Sequence, residues 1–173
     1  MERLKCQIRA KRADEDSLLV LLAAENLRPL AETRGRGGDY RDADVVALLR
    51  SAQVFVAECD DNVAGYIAVS ETRPDDLASE TRPELTSETR PELIIELVCV
   101  SPVYEARGVA HQLLDWVEGL AFNRQAARMT VLTPADDDRA LHFYRGRDFV
   151  PLPSTGDMVV LEKRLPYGDA GDQ

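Results

Sequence analysis

The spacing of apolar and polar residues along the chain predicts a mixture of strands and helices. Alternating or β-branched runs predict strands over residues 6–10, 53–59, 63–70, 93–100, 128–133 and 158–162. Apolar residues three and four positions apart predict helices over residues 14–22, 42–49, 108–121 and 136–146. The run at 93–100 is almost continuously apolar, which is typical of a central strand covered on both faces.

Two of the helices carry specific packing expectations. The apolar face of the first helix consists of Leu18, Leu19, Leu21 and Leu22. Trp116 fits the apolar spacing of the third helix and is expected in the core.

Two stretches interrupt this pattern. Residues 33–41 contain Gly35, Gly37 and Gly38 among charged residues, which predicts a loop. The sequence Ser-Glu-Thr-Arg-Pro then occurs three times within residues 70–91. Each copy has a proline that cannot donate to a central strand ladder, so residues 70–92 are expected to form an exposed hairpin extension. Docking of a partner on the repeat is the alternative. The whole chain, 1–173, is expected to be one domain with a flexible tail at 166–173.

The charge balance narrows the classes of partner. The chain has 173 residues, with 21 Lys and Arg against 31 Asp and Glu, for a net charge of −10. This balance argues against nucleic-acid and anionic-membrane binding, because both require clustered positive charge. No apolar run reaches the ~20 residues of a membrane span, and the first residues lack the apolar centre of a signal peptide. We expect a cytoplasmic protein, either monomeric or homodimeric.

The cysteines and histidines are few. Cys6, Cys59 and Cys99 are an odd number without CxxC spacing, which disfavours a disulfide framework and a zinc cluster and favours a reducing compartment. His111 and His142 are too far apart to suggest a metal site, so no metal is expected. Cys99 is expected to pack rather than act as a nucleophile, because no histidine is adjacent to activate it.

A glycine follows the central strand at the start of the third helix. The strand ends at Val100, and a short turn leads to Gly108. A glycine there lets the backbone approach a ligand, and the free amides and dipole of a helix start bind anions such as a pyrophosphate. The alternative is that Gly108 only permits the turn. The residues around it have to distinguish this role from anion binding.

Those residues resemble the GNAT superfamily of N-acetyltransferases. Val100-Ser101-Pro102 and Glu-Ala-Arg-Gly-Val-Ala at 105–110 are similar to the family's Val-x-Pro and Gln/Arg-x-x-Gly-x-Gly/Ala cofactor motif. A second family pattern, Asn-x-x-Ala-x-x-x-Tyr-x-x-x-Gly-Phe, falls on Asp137, Ala140, Tyr144, Asp148 and Phe149. The resemblance extends over residues 7–165.

The resemblance implies an α/β fold with a mixed, mostly antiparallel central sheet flanked by helices. It places a cofactor cleft at the turn between the fourth strand and the third helix. It also implies acetyl-CoA as co-substrate, no metal, and direct transfer of the acetyl group to an amine in a ternary complex. The cofactor-binding residues that it implies are Val98, Cys99, Val100, Ala106, Arg107, Gly108, Val109, Ala110, His111 and Asp137.

Two residues are candidates for the proton transfers. Tyr144 matches the family's tyrosine that protonates the leaving thiolate; aromatic packing beside Phe143 is the alternative. Glu96 is the one charged residue of the strand 93–100. A carboxylate there is costly to bury, so it should face a water-filled cleft or have a partner. We expect Glu96 to be the base; a structural salt bridge, with a chain of waters as the base, is the alternative.

Three departures from the family patterns keep other functions open. Glu105 replaces the usual Gln or Arg beside the expected diphosphate, where Arg107 can compensate. Asp137 replaces Asn, and Asp148 replaces Gly. A GNAT-fold module that lacks catalysis and binds acyl-CoA or a protein partner in a regulatory role is one alternative. An interaction protein organised around the repeat is another.

The acidic charge also bears on the acceptor. Carboxylates near the expected cleft are Glu25, Glu32, Asp39 and Glu96. Negative potential concentrates cations, so the expected acceptor is a cationic small molecule or a peptide amine.

Overall fold

The computed structural model describes residues 3–33, 40–73 and 90–166. The strands are β1 (Gln7–Ala10), β2 (Gln53–Cys59), β3 (Asn62–Thr72), β4 (Glu92–Val100), β5 (Arg128–Pro134), β6 (Val150–Pro151) and β7 (Met158–Arg164). The helices are α1 (Asp16–Thr33), α2 (Asp42–Ser51), α3 (Val109–Asn123) and α4 (Asp138–Arg145), with a short 3₁₀ helix, Pro102–Tyr104, after β4. The predicted glycine-rich loop, most of the repeat and most of the tail lie outside the described residues.

The strands form one seven-stranded sheet in the order β1-β2-β3-β4-β5-β7-β6. The β4–β5 pair is parallel, and the pairs β1–β2, β2–β3, β5–β7 and β6–β7 are antiparallel. This confirms the mixed, mostly antiparallel sheet flanked by helices. Sequence reasoning missed β6, because its two residues are too few to show a pattern.

The chain divides into two compact units. The first unit is Met1–Val69 with Leu97–Glu118, and the second is Ser70–Glu96 with Gly119–Gln173. In the part of the chain that the structure describes, no helix is both long and apolar enough to cross a membrane.

The core of the first unit lies between α1, α2 and strands β2 to β4. Its buried residues are Leu19, Leu22, Ala23, Val45, Leu49, Val54, Val56, Tyr66, Ala68 and Cys99. Tyr66 brings a polar group into this core, and its hydroxyl donates to the backbone oxygen of Leu19 at 3.1 Å. The buried hydroxyl is therefore satisfied, as a buried polar group must be.

Two packing expectations are corrected. Leu19 and Leu22 are buried, but Leu18 and Leu21 are 48% and 64% exposed. The buried face of α1 therefore includes only part of its leucine run, and Leu18 and Leu21 lie on the side of the helix that faces solvent. Trp116 is not a core residue; it is 44% exposed and contacts Phe55, with ring centroids 5.9 Å apart. It lies at the edge of the apolar stripe of α3 rather than at its centre.

The cysteine expectation is also wrong for one pair. Cys6 and Cys59 form a disulfide across 53 residues, with Cα atoms 4.6 Å apart. The pairing of β1 with β2 sets Gln7 opposite Glu58, so the next position outward sets Cys6 opposite Cys59. Strand pairing, which no cysteine spacing reveals, brings the two sulfurs together. Cys99 remains a free, buried cysteine.

The second unit holds an ion-pair network at the start of β5. Arg128 donates to Glu92 on β4 and to Glu162 on β7, at 3.0 Å in each case. Glu162 is 6% exposed. Hydrogen bonds from Arg164 and Arg128 hold the pKa of Glu162 below its usual value. The network joins three adjacent strands of the sheet.

Candidate active site

The loop between β4 and α3 (residues 101–108, the β4–α3 loop) has an unusual backbone. Ala106 has φ 57° and Gly108 has φ 84°. These values lie in the left-handed region, where glycine is the least strained residue. The turn at Gly108 allows α3 to begin directly at Val109.

The start of α3 presents backbone donors that the helix itself does not use. Among them are the amides of Val109 and Ala110, because the first amides of any α-helix lack an acceptor within the helix. The first intrahelical bond is from Gln112 to the oxygen of Gly108, at 3.2 Å. The first turn of α3 contains no acidic residue. The helix start therefore favours an anion.

Arg107 adds a second feature of an anion site. Its Nε atom is buried and has no hydrogen-bond partner among the described residues. A buried donor without a partner is costly and calls for an acceptor. The loop thus fits a phosphate-bearing group, although Glu105, an exposed residue of the same loop, opposes it with negative charge.

The end of β4 is held by contacts within the first unit. The amide of Ser101 donates to the oxygen of Ala64 at 2.8 Å, and the side-chain amide of Asn26 donates to the oxygen of Val100 at 3.0 Å. A Cβ atom on Gly65 would lie 2.6 Å from the oxygen of Cys99. Gly65 is therefore needed for the close approach of β3 to β4.

Cys99 lies in the middle of this segment and is fully buried. Burial raises the pKa of its thiol to about 12. A thiol with that pKa forms almost no thiolate near neutral pH, and the thiolate is the nucleophile. The structure confirms that Cys99 packs in the core, and the absence of a nucleophilic role stays a prediction.

Glu96 lies on β4 just beyond its pairing with β5. The described β4–β5 pairing runs from Glu92 opposite Arg128 to Ile95 opposite Val131, and β4 continues to Val100. Glu96 is exposed, and the hydroxyl of Ser70 donates to its Oε1 at 2.7 Å. Glu96 was expected to face a water-filled cleft or to have a partner; its carboxylate is exposed, and its hydrogen-bond partner is a hydroxyl rather than an arginine.

Tyr144 is on α4 and is only 6% exposed. Its ring contacts the rings of Phe143 and Phe149, with centroid distances of 5.1 and 5.4 Å and edge-to-face geometry in both pairs. Asp137 caps the same helix, with its Oδ1 accepting from the amide of Ala140 at 3.0 Å. The Asp at the family's Asn position thus caps α4.

The predicted site residues fall in different units. Val98 to Val100, Ala106 to Gly108 and Val109 to His111 belong to one continuous stretch of the first unit. Glu96, Asp137 and Tyr144 belong to the second unit. Of the predicted acceptor-attracting carboxylates, Glu25 is exposed, the side chain of Glu32 is not described, and Asp39 lies outside the described residues.

Sequence reasoning missed three residues that support the β4–α3 loop and its flanks. They are Leu4, Asn26 and Gln112, and the bonds that join Gln112 to the segment before β1 span 106 and 108 residues. No local pattern could have revealed contacts at that separation.

Within the described ranges, no group of three or more His, Cys, Asp or Glu could hold a metal ion.

Comparison with known proteins gives a family. The model of the acetyltransferase (GNAT) family matches residues 21–149. No curated protein matches the sequence.

Many solved structures share the fold. PaiA N-acetyltransferase from Thermoplasma acidophilum, in complex with coenzyme A, is 13% identical, with a TM-score of 0.67 over 94% of this chain and 100% of that chain. A GNAT family acetyltransferase from Elizabethkingia anophelis with acetyl-CoA bound is 16% identical, with a TM-score of 0.61 over 92% and 98%. Naa50 from Arabidopsis thaliana, in complex with the bisubstrate analogue CoA-Ac-MVNAL, is 16% identical, with a TM-score of 0.67 over 92% and 99%. At these identities the similarity shows the fold.

Proposed function

The chain belongs to the acetyltransferase (GNAT) family, and we propose that it transfers an acetyl group from acetyl-CoA directly to an amine of a small molecule or peptide. The observation that carries the proposal is the β4–α3 loop, whose backbone turns at Gly108 into the first turn of α3 and whose Arg107 has a buried Nε without a hydrogen-bond partner among the described residues. Such a loop suits a pyrophosphate, which acetyl-CoA contains. Structures with coenzyme A or acetyl-CoA among those of the same fold support this choice.

Residues of the first unit would hold the cofactor. The amides of Val109, Ala110 and His111 would donate to the pyrophosphate, and Arg107 would add positive charge beside Gly108. The backbone of Val98 to Val100 would bind the amide groups of the pantetheine arm, because β4 continues past the end of its described pairing with β5.

Two side chains, Tyr144 and Glu96, would move the protons. When bound, acetyl-CoA supplies an acyl group activated as a thioester. The hydroxyl of Tyr144 would donate a proton to the sulfur that leaves the acyl group. A thiol is a much weaker nucleophile than a thiolate, so protonation would keep the sulfur from attacking the product. The carboxylate of Glu96 is exposed and would accept the ammonium proton of the acceptor, directly or through water.

A cationic acceptor is the class that the charge distribution favours. The net charge of −10 gives negative potential around the molecule, which concentrates protonated amines. Polyamines, aminoglycosides and peptide N-termini all carry such groups.

Two measurements test the proposal. Calorimetric titration with acetyl-CoA should give saturable binding at micromolar to low millimolar cofactor. A thiol-release assay with polyamines, aminoglycosides, amino acids and N-terminal peptides should then identify an acceptor. Absence of binding at millimolar cofactor would refute the proposed function, and turnover of acidic acceptors alone would refute the charge argument.

A GNAT-fold module that binds acyl-CoA without catalysis is the second candidate. Glu105 on the β4–α3 loop and the burial of Tyr144 favour it. It predicts saturable binding of acetyl-CoA with no thiol release for any amine of the panel.

A further inference from the structure

The chain before β1 is bonded to the β4–α3 loop and to α3. We call residues 3–6 the N-terminal segment. The amide of Leu4 donates to the backbone oxygen of Arg107 at 3.2 Å. Gln112 donates from Nε2 to the oxygen of Leu4 at 2.6 Å and accepts at Oε1 from the amide of Cys6 at 3.0 Å. The backbone of the N-terminal segment is therefore bonded to the backbone of the loop and to the side chain of Gln112 on α3.

Gln112 is oriented by these bonds. Its Nε2 also donates to the oxygen of Gly108 at 3.3 Å, so the nitrogen faces two carbonyl oxygens while Oε1 faces an N–H group. The reverse orientation would set a donor against a donor. The Gln112 side chain thus connects the N-terminal segment to Gly108, the residue before α3.

The N-terminal segment also brings a cation to the loop. A Cβ atom on Gly108 would lie 3.3 Å from Cγ and 3.6 Å from Nε of Arg3. The Arg3 side chain therefore lies against the glycine turn, on the loop that also carries Glu105. A guanidinium there offsets the negative charge of Glu105 toward an anionic ligand.

The disulfide fixes the other end of the N-terminal segment. Cys6 is bonded through its sulfur to Cys59, the last residue of β2, and through its amide to Gln112. Cys59 is 1% exposed, whereas Cys6 is half-buried. A covalent bond at this residue limits the positions that the N-terminal segment can take relative to β2.

We infer that the Cys6–Cys59 disulfide and Gln112 hold the N-terminal segment against the β4–α3 loop, and that reduction of the disulfide weakens binding of coenzyme A. The inference rests on the proposed function for its ligand. Gln112 is a positioning residue: it acts on the cofactor through the loop backbone. The compartment's thiol redox state would thus set the cofactor affinity.

The redox step is a thiol–disulfide exchange with a dithiol. One thiolate of the reductant attacks the half-buried Sγ of Cys6, the S–S bond breaks, and Cys59 leaves as a thiolate that is then protonated. The second thiol of the reductant displaces Cys6, which becomes a thiol. Two electrons and two protons pass to the protein, and the dithiol is oxidised to its own disulfide.

Calorimetric titration with coenzyme A tests the inference on the full chain. Oxidised protein and protein reduced with dithiothreitol are compared, and thiol counting verifies both states. We expect reduction to raise the Kd about tenfold, the order set by losing one or two ordered hydrogen bonds. The double variant Cys6→Ser/Cys59→Ser should bind as the reduced protein does and should not respond to dithiothreitol. An equal Kd in both redox states would overturn the inference.

Hydrogen exchange gives a readout that needs no cofactor. Reduction should accelerate amide exchange in residues 105–112 of the ligand-free protein. Gln112→Met in the oxidised protein should have the same effect and raise the Kd for coenzyme A, whereas Gln53→Met, at an exposed glutamine of β2, should do neither. If oxidised protein does not bind coenzyme A, the proposed function fails, and exchange alone decides whether the disulfide supports the loop. Unchanged exchange on reduction would refute that support.

Discussion

The backbone amide of Phe149 donates to the carbonyl oxygen of Tyr144 at 3.1 Å, and the rings of the two residues meet edge to face. Between them, Asp148 has φ 67°, the left-handed conformation that turns a chain back at the end of a helix. This turn places Phe149, which is 2% exposed, against the Tyr144 ring. The family's glycine at the position of Asp148 therefore reflects a backbone requirement, and Asp meets it at modest cost.

Substitution of Asp148 should separate backbone conformation from chemistry. Asp148→Gly should keep the free energy of unfolding within about 1 kcal/mol, because glycine adopts positive φ without strain. Asp148→Val should lower it by roughly 1–2 kcal/mol, because a β-branched residue is strained there. Urea unfolding of both variants measures the difference. Equal stability of the two variants would show that φ at this position is not limiting.

Tyr144→Phe should lower kcat by roughly 10² to 10⁴ while leaving the fold and most of the affinity for acetyl-CoA in place, because a general acid acts only in the transition state. Steady-state kinetics with the best amine measures this. Tyr66→Phe is the matched control: it removes a buried hydroxyl bonded to Leu19 and should lower stability by about 1 kcal/mol without changing turnover per folded molecule. An unchanged kcat in Tyr144→Phe would show that the Tyr144 hydroxyl is not the general acid and that its ring only packs against its neighbours.

Glu96→Gln should reduce the rate most at low pH, where an amine acceptor is almost wholly protonated, and higher pH should partly restore it by supplying free amine. A pH–rate profile of kcat/KM tests this. Ser70→Ala, which removes the hydroxyl donor to Glu96, controls for the position of the carboxylate. If Glu96→Gln changes only the melting temperature, the carboxylate is structural and a chain of waters or the solvent takes the proton.

Cys99 should not react with an alkylating reagent in the native protein near neutral pH. Burial removes the reagent's access and raises the thiol pKa to about 12, so the thiolate is scarce. Mass spectrometry after brief alkylation should show Cys99 unmodified in native protein and modified in urea. Rapid native labelling would show that the core around Tyr66 opens readily.

Glu15 should contribute stability that acid removes. The hydrogen bond from Arg9, above all, lowers the pKa of Glu15, so the folded state holds the charged form more strongly than the unfolded state does. This stability is present above the usual glutamate pKa and is lost as pH falls through the lowered one. Glu15→Gln should cost roughly 1–3 kcal/mol near neutral pH.

The cost of Glu15→Gln should shrink below about pH 4. There the unfolded wild type gains a proton on Glu15 before the folded protein does, which lowers the stability of the wild type toward that of the variant. Asp44→Asn removes a mainly exposed pair with Arg41 and serves as the control, with a small effect at any pH. Thermal unfolding across the acid range measures both variants. A cost that does not change with pH would assign the effect to packing.

The order and type of the longer elements were available from the sequence. Apolar periodicity located the strand that is β4 and the helix that is α3, since burial of one or both faces imposes the period directly on the residues. The two spaced motifs then indicated the family, because Gly108 and the residues around Tyr144 meet local backbone and packing requirements. Boundaries were less well predicted: α1 continues through Pro29 to Thr33, well beyond residue 22.

Contacts between distant parts of the chain were decided only by the tertiary structure. The disulfide between Cys6 and Cys59 follows from the pairing of β1 with β2, and the bonds of Gln112 to the N-terminal segment follow from where that segment lies. Likewise, Trp116 has the spacing of a core residue but lies at the edge of its helix's buried face. The spacing of apolar residues indicates which positions of a single helix or strand are buried. Which neighbour covers that element, and which side chains meet there, depends on how the whole chain packs.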